Sequence, residues 1–275
     1  MAAAQSKGVE DALWIALRAP EENAALLRRL AERARQSRGF DFTGYKRASL
    51  TRRVHKRMQA VGVKTYAEFA QLLEQKPAEF DHLCNTVLIN VTAFFRGLPV
   101  SFPATVAVVL HLSPDYPSVL VDVLSRCTRL PVCWAADGER MKRGTVYVAP
   151  PDRHLVVERD GAVSLSLSAP VHFARPSVDR LFASAAQAFG QRTLAVILSG
   201  NGYDGSGGVA EVHKLGGVVI AQDEASSEFF SMPRKAIQSG GVTYVLPLAS
   251  IAPAVHRLVA LGTAGGLDGG SPIAV

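Results

Sequence analysis

The sequence predicts an α/β protein in which a small all-α domain precedes a mostly parallel, doubly wound sheet. Two changes near residue 100 support this prediction. Before that point apolar residues recur only at helical spacing, whereas from residue 104 short β-branched runs alternate with helical patterns. The excess of positive charge is also confined to the first part. We therefore expect a helical domain over residues 1–97, an α/β domain over residues 98–262, and a frayed tail over residues 263–275.

The helices of the first domain are predicted from apolar spacing and from signals at their ends. Pro20 stands in a first-turn position that a helix tolerates, and Gly62 is placed to end a helix. Thr65 and Glu68 have the spacing of a capping box, which starts another one. The predicted helices cover residues 21–36, 50–61, 65–73 and 77–88.

The second domain is predicted to be a parallel sheet covered by helices. Its continuous apolar runs are typical of strands buried on both faces. Residues 155–167 are an exception, because Arg159, Asp160 and Gly161 separate two alternating runs and predict a β-hairpin. The predicted strands cover residues 105–110, 131–134, 145–148, 194–198, 218–221 and 242–246. The predicted helices cover residues 118–126, 177–189, 208–215 and 251–261.

The composition indicates an ordinary globular protein. Apolar residues make up 48% of the chain and charged residues 20%, which excludes disordered and collagen-like classes. No stretch approaches the roughly 20 apolar residues that span a bilayer, so we expect a cytoplasmic protein without membrane insertion. Cys84, Cys127 and Cys133 are scattered, so we expect buried thiols and neither a disulfide nor a metal site.

The charge of the chain lies entirely in the first domain. Residues 1–97 contain 16 lysines and arginines against 10 acidic residues, whereas residues 98–275 contain 14 of each. This asymmetry predicts that the first domain faces an acidic partner, which could be nucleic acid, an anionic membrane or an acidic protein surface.

A histidine and an aspartate follow two of the predicted buried strands. His111 comes directly after residues 105–110, and Asp204 lies in the loop after residues 194–198. The carboxyl ends of parallel strands meet at the usual ligand crevice of such sheets. Imidazole and carboxylate together suit acyl transfer, as a base and the acid that orients it. A structural histidine and a turn-capping aspartate would explain the same residues.

Glycines surround the aspartate. Gly200, Gly202 and Gly205 would allow backbone N–H groups to approach an oxyanion closely.

The second domain resembles the catalytic domain of the CheB-type chemotaxis protein-glutamate methylesterases. The matching stretches run in family order over roughly residues 98–261. They are residues 102–114, 136–139, 144–154, 175–179, 200–205, 221–227 and 232–234. The resemblance implies hydrolysis of glutamate methyl esters on chemoreceptors, and also glutamine deamidation. It makes His111 the base and Asp204 the acid, and it places Asn201 at the oxyanion site through its backbone N–H.

The first domain resembles the N-terminal helical domain of the CheR-type chemotaxis methyltransferases. The resemblance rests on residues 39–58 and 89–96. It implies that a basic helix faces the acidic methylation region of chemoreceptor helices, with a solvated basic face as the alternative. Nucleic-acid binding is disfavoured because the run lacks interleaved aromatic residues. The basic residues are Lys46, Arg47, Arg52, Arg53, Lys56 and Arg57.

The same resemblance bears on a cofactor. It places Asn90, Thr92 and Arg96 beside the S-adenosylmethionine pocket of the methyltransferases. After Gly97 the sequence continues with methylesterase motifs, where a methyltransferase would have its cofactor-binding domain. We therefore expect an incomplete S-adenosylmethionine site and no cofactor.

The nucleophile of the methylesterases is the part that the sequence does not supply. In that family a buried first strand ends in a Ser-x-Gly-Gly turn, and the resemblance begins downstream of it. Ser101 precedes the strand that leads to His111 and does not lie on a strand-to-helix turn. Ser206 follows the strand that leads to Asp204 and is better explained as a helix cap. Residues 259–267 loosely echo the missing strand and turn, as in a permuted domain, with Thr263 near the place of the serine. Two functions stay open: a methylesterase with an unconventional nucleophile, and a catalytically inactive remnant that binds receptors.

Overall fold

The computed structural model describes residues 47–76, 79, 89–111, 118, 120–262 and 272–274. The chain divides into two compact units, residues Met1–Val87 and Leu88–Val275.

The first unit contains two described helices, α1 (Arg47–Val61) and α2 (Tyr66–Gln75). Gly62 ends α1 with a φ of 73°, and the amide of Val63 donates to the Met58 carbonyl at 3.0 Å. Thr65 caps α2, and both hydrogen bonds of the predicted capping box with Glu68 are present. The predictions for these two helices are confirmed. Those for residues 21–36 and 77–88 fall outside the described residues, apart from Glu79.

The second unit is built on a seven-stranded sheet in which every pairing is parallel. The order is β2-β3-β1-β9-β6-β7-β8. The strands are β1 (Thr105–Val108), β2 (Val132–Trp134), β3 (Val146–Val148), β6 (Leu194–Ile197), β7 (Val218–Gln222), β8 (Tyr244–Leu246) and β9 (Pro272–Ala274). The predicted hairpin is a separate antiparallel pair, β4 (His154–Val157) and β5 (Val163–Ser166). The mostly parallel α/β fold is therefore confirmed.

Helices cover this sheet and are shorter than a membrane span. The described helices are α3 (Ile89–Arg96), α4 (Leu120–Ser125), α5 (Val178–Phe189), α6 (Ser206–Lys214), α7 (Ser231–Gln238) and α8 (Leu248–Ala260). Within the described residues, none of the helices is long and apolar enough to cross a membrane. Helix α7 is not among the predicted helices, and its Pro233 lies in the first turn, where a helix tolerates proline.

The last segment of the chain corrects the prediction of a frayed tail. Pro272–Ala274 is a strand at the centre of the sheet, between β1 and β6. Ala274 pairs with Ala107 on one side and Ala195 on the other, and it is fully buried. Three residues behind a glycine-rich stretch are too few to show a strand pattern in the sequence. Their pairing with two buried neighbours creates the strand.

Helix α3 belongs to the second unit, although the sequence predicts that residues 89–96 lie in the first domain. Its Phe94 and Phe95 are fully buried. The chain passes so close to α8 at Gly97 that a Cβ there would lie 2.7 Å from the Ala252 Cβ. The compact second unit therefore starts at Leu88.

Candidate functional site

The structure brings His111 and Asp204 together at the carboxyl edge of the sheet. His111 lies three residues beyond β1, and Asp204 lies in the loop between β6 and α6. The His111 Nε2 atom is 2.8 Å from the Asp204 Oδ2 atom. The imidazole is 39% exposed and the carboxylate 3% exposed. A buried carboxylate thus holds one ring nitrogen of a histidine that solvent can reach.

Asp204 is held by the first turn of α5. The backbone amides of Val178 and Asp179 donate to its carboxylate at 2.8 and 3.1 Å, and the Ser177 hydroxyl donates at 2.8 Å. Burial acts to raise the pKa of Asp204. The hydrogen bonds from His111, Val178, Asp179 and Ser177 outweigh burial and hold the pKa below its ordinary value of 3.8. The positive end of the helix dipole acts in the same direction. Asp204 is therefore an anion at neutral pH.

A glycine fixes the loop that carries Asp204. Gly205 has a φ of 100°, a region that other residues rarely adopt. A Cβ at this position would meet the Ile197 Cδ1 atom at 2.8 Å and the Val178 Cγ1 atom at 3.0 Å. The loop can therefore lie flat against β6 and α5, which positions Asp204 at the helix.

A second carboxylate, which sequence reasoning missed, lies beside the first. The Gly208 amide donates to Asp179 Oδ1 at 2.6 Å, and His172 Nε2 is 3.3 Å from Asp179 Oδ2. Burial raises the pKa of Asp179, with a smaller contribution from the charge of Asp204, while the Gly208 hydrogen bond acts against it. Asp179 ends the matching stretch 175–179, but nothing in the sequence marks its contacts apart from those of any acid in the first turn of a helix, so its role as an anchor is not predicted.

Two of the three predicted oxyanion glycines use their amides inside the protein. The Gly200 amide donates to the Phe229 carbonyl at 2.9 Å, and the Gly202 amide donates to the Ser231 hydroxyl at 3.1 Å. These contacts tie the loop to the start of α7. Asn201 lies exposed between the two glycines. Its role at an oxyanion site stays a prediction.

The predicted cofactor-border residues are part of the second unit. The side-chain oxygen of Asn90 accepts a hydrogen bond from the buried Gln222 amide at 3.2 Å, while Gln222 Oε1 accepts from the Ser199 amide at 2.9 Å. Thr92 is fully buried, and Arg96 donates to the Cys127 sulfur at 3.6 Å. Asn90 therefore supports the loop that leads from β6 toward Asp204.

One residue of the predicted basic surface is paired within the first unit, and the receptor-binding role of this surface stays a prediction. The Arg57 Nε and Nη2 atoms both donate to Glu79 Oε2, at 2.9 and 2.6 Å. This ion pair is partly buried, with side chains 24% and 19% exposed, so Arg57 is engaged within the first unit. Lys56 is exposed on α1. Arg47, Arg52 and Arg53 lie on the same helix, but their side chains are outside the described part of the structure. Lys46 falls outside the described residues.

No hydroxyl or thiol of the described residues is hydrogen bonded to His111. The Ser206 hydroxyl donates to the Tyr203 carbonyl at 2.8 Å, where α6 begins. Ser101 lies in an exposed turn before β1. Thr263 falls outside the described residues. The carboxyl end of β9, however, points to the edge that carries both His111 and Asp204, because β9 runs parallel to β1 and β6.

Comparison with known families identifies the family to which this chain belongs. The family described as CheB methylesterase matches residues 88–255, which is more than half of the chain. This chain is a member of the CheB methylesterase family. Residues 25–88 match a second family, described as the all-alpha domain of CheR methyltransferase. The two matches meet at residue 88, where the compact second unit also starts.

Relatives are named for the same activity. A protein-glutamate methylesterase/protein-glutamine glutaminase 2 of Anaeromyxobacter dehalogenans is 42% identical over 61% of this chain and 49% of its own length. The protein-glutamate methylesterase FrzG of Myxococcus xanthus is 41% identical over 62% and 51%. The chain spans about half the length of the curated relatives that it matches.

A solved structure shows the same fold. The CheB methylesterase catalytic domain of Thermotoga maritima is 36% identical to this chain, with a TM-score of 0.58. The likeness covers 62% of this chain and 91% of that structure. The resemblance found in the sequence to CheB methylesterases and to the CheR helical domain is thus confirmed.

Proposed function

We propose that the second unit is a protein-glutamate methylesterase module in which His111 is the general base and Asp204 the acid that orients it. The observation that carries this proposal is the 2.8 Å contact between His111 and the buried, ionised Asp204. Its substrates are γ-methyl esters of glutamate on the cytoplasmic helices of chemoreceptors. The same attack on a side-chain amide would deamidate glutamine.

The proposed reaction follows from the geometry of the pair. Nε2 of His111 faces Asp204, so the other ring nitrogen takes the proton of an attacking hydroxyl group. The new C–O bond forms at the ester carbonyl, and the imidazolium returns the proton to the departing methoxide, which leaves as methanol. Water, activated by the same nitrogen, then hydrolyses the acyl intermediate. The reaction needs no cofactor, and S-adenosylmethionine has no part in it.

The test is release of methanol from a methyl-esterified chemoreceptor fragment by the purified chain. We expect slow release, because His111 has no hydroxyl partner among the described residues. The release should be lost in His111→Ala and kept in His213→Ala, which removes an exposed imidazole from α6. Release that is unchanged in His111→Ala would contradict the proposal. Loss in Thr263→Ala would identify that hydroxyl as the nucleophile.

We propose receptor binding without catalysis as the second candidate. It is favoured by the same lack of a hydroxyl partner for His111 among the described residues and by the basic residues of α1. The variant Arg52→Glu/Arg53→Glu should weaken binding to an acidic receptor peptide at least about 10-fold at low salt, and less at high salt. The control variant Lys64→Glu/Lys76→Glu makes the same charge change at exposed positions outside α1. Equal binding by all three proteins would rule out this candidate. Arg57 is left intact because it pairs with Glu79.

A further inference from the structure

A two-residue turn beside Asp204 and Asp179 has an unusual backbone. Val171 and Ala174 exchange both of their backbone hydrogen bonds, at 3.1 and 2.9 Å. The residues between them, His172 and Phe173, have φ values of 50° and 63°. Positive φ at both central positions is the pattern of a type I′ turn, which selects asparagine and glycine. A phenylalanine there is a conformational outlier.

Burial of the Phe173 side chain does not offset the cost of this backbone conformation. Phe173 is 98% exposed, so its ring contributes almost no packing within the protein. Strained backbone that persists without packing occurs mainly at functional sites, where the surroundings hold it in place. Phe173 is therefore a candidate for contact with a bound molecule.

Contacts on both sides hold the turn. His172 Nε2 is 3.3 Å from Asp179 Oδ2, and the His172 ring meets the Tyr203 ring edge-on with centroids 4.6 Å apart. Arg175, which follows the turn, donates to the Leu167 and Ser168 carbonyls at 3.1 Å each. These contacts fix the backbone of the turn, and with it the position from which the Phe173 side chain projects.

This turn lies close to Asp204, the acid of the candidate catalytic pair. Asp179, which anchors His172, donates its backbone amide to Asp204 at 3.1 Å. Tyr203 immediately precedes Asp204 in the chain and is 47% exposed. Two exposed aromatic rings are therefore connected to the acid: Tyr203 adjoins Asp204 in the chain, and Phe173 follows His172, which contacts Asp179.

We propose that Phe173, supported by Tyr203, is a specificity-determining residue that binds an apolar side chain next to the esterified glutamate of the polypeptide substrate. This inference rests on the proposed function, since it assigns the substrate of the same site. A phenylalanine ring has no hydrogen-bonding atom, so it selects for apolar contact area and not for charge. The turn fixes the backbone of Phe173 before the substrate arrives, which lowers the backbone entropy lost on binding.

The test is fluorescence anisotropy with two labelled peptides that each carry one glutamate γ-methyl ester. The residue next to the ester is leucine in one peptide and serine in the other. We expect the full chain to bind the leucine peptide roughly 5- to 10-fold more tightly, as partial burial of a leucine side chain allows. Phe173→Ala should abolish this preference, and Phe173→Tyr should keep it.

Two further variants separate binding from structure. Phe173→Gly should also abolish the preference, and it should raise the Tm by roughly 2–4 °C because glycine adopts positive φ without strain. Tyr244→Ala removes an aromatic ring that is 45% exposed from β8 at the edge of the sheet, and the preference should be unchanged.

Several results would overturn the proposal. They are a preference that survives in Phe173→Ala, a lower Tm in Phe173→Gly, and failure of the wild-type chain to bind either peptide. Methanol release separates this proposal from the proposed function. Hydrolysis that depends on His111 but not on Phe173 would refute the specificity role alone. A Phe173-dependent preference without hydrolysis would refute the catalytic role alone.

Discussion

At the scale of single residues, the structure explains why a carboxylate can be buried at the carboxyl edge of this sheet. Asp204 accepts four hydrogen bonds, three of them from residues 177–179 at the start of α5. An anion with this many donors does not need water, and it keeps its charge in a buried place. His111 is therefore paired with a negative charge at neutral pH.

The first prediction concerns the pH dependence of stability. The pKa of Asp204 in the folded chain lies below its ordinary value of 3.8, so the unfolded chain binds this proton more tightly. The stabilisation is present in full above 3.8 and is lost as the pH falls through the lowered pKa. Asp204→Asn should lower the free energy of unfolding at pH 7 by about 2–3 kcal/mol, because an amide cannot accept all four bonds.

The measurement is urea unfolding at pH 7 and at several pH values below 4. The difference between wild type and Asp204→Asn should shrink as the pH falls. Asp160→Asn is the control. This carboxylate lies in the turn of the hairpin, is 54% exposed, and pairs with the exposed Arg140. A difference between wild type and Asp204→Asn that is constant with pH would contradict this role of the Asp204 charge.

A pair of glycines gives the second prediction. Gly202 and Gly205 both have positive φ, at 94° and 100°, but only at Gly205 would an added Cβ have neighbours within 4 Å. Gly202→Ala should therefore cost only the backbone strain, about 1 kcal/mol. Gly205→Ala should cost that strain plus overpacking against Ile197 and Val178, in total about 2–4 kcal/mol. Chemical denaturation checks both values, and equal losses would show that close packing at Gly205 is unimportant.

At the scale of elements, the central strand of the sheet is formed by the last described residues, Pro272–Ala274. Strand β9 lies between β1 and β6, whose following loops carry His111 and Asp204. Parallel central strands are buried on both faces, so even three residues here contribute to the stability of the whole sheet. The last described strand is thus also the one nearest in the sheet to both halves of the candidate site.

The third prediction tests that strand. Ala274→Asp places a charge at a fully buried position between two strands and should lower the free energy of unfolding by at least about 3 kcal/mol. Ala260→Asp makes the same change at the exposed end of α8 and should cost less than about 1 kcal/mol. Thermal unfolding measures both. Similar Tm values for the two variants would mean that the segment does not form the central strand in solution.

The elements also show what sequence reasoning can reach. The Thr65 capping box and the Gly62 helix end are local signals, and so is the turn of the hairpin, because the residues that make each contact are close in the chain. The pairing of His111 with Asp204 follows from parallel strands ending at one edge. Strand β9 and the Arg57–Glu79 ion pair depend on partners at least 22 residues away, with nothing local to mark them.

At the scale of the whole molecule, the chain joins parts that match two families. Residues 25–88 match the CheR all-alpha domain and residues 88–255 match CheB methylesterase. The junction coincides with the start of α3, whose residues the sequence resemblance assigns to the CheR-type helical domain. In this chain α3 packs on α8, and its Asn90 supports the loop toward Asp204 through Gln222. The residues of α3 thus lie within the CheB match and serve the second unit.

The position of β9 indicates where a nucleophile would meet the base and the acid. His111 lies four residues beyond Ala107, the partner of Ala274, so a strand that continued from β9 would reach the level of His111 within about four residues. A hydroxyl group placed there would lie between the strands that lead to the base and the acid.

The most direct test is methanol release by the chain extended beyond Val275 with a few apolar residues and a Ser-x-Gly-Gly turn. Loss of a triad nucleophile costs on the order of 10⁶-fold in the protease where it was measured. We therefore predict that the extension raises the rate of ester hydrolysis at least about 10³-fold over the unextended chain, and that replacing the added serine by alanine, or His111→Ala, removes the gain. A folded extended chain that hydrolyses the ester no faster than the original would contradict the claim that β9 leads to a site built by His111 and Asp204.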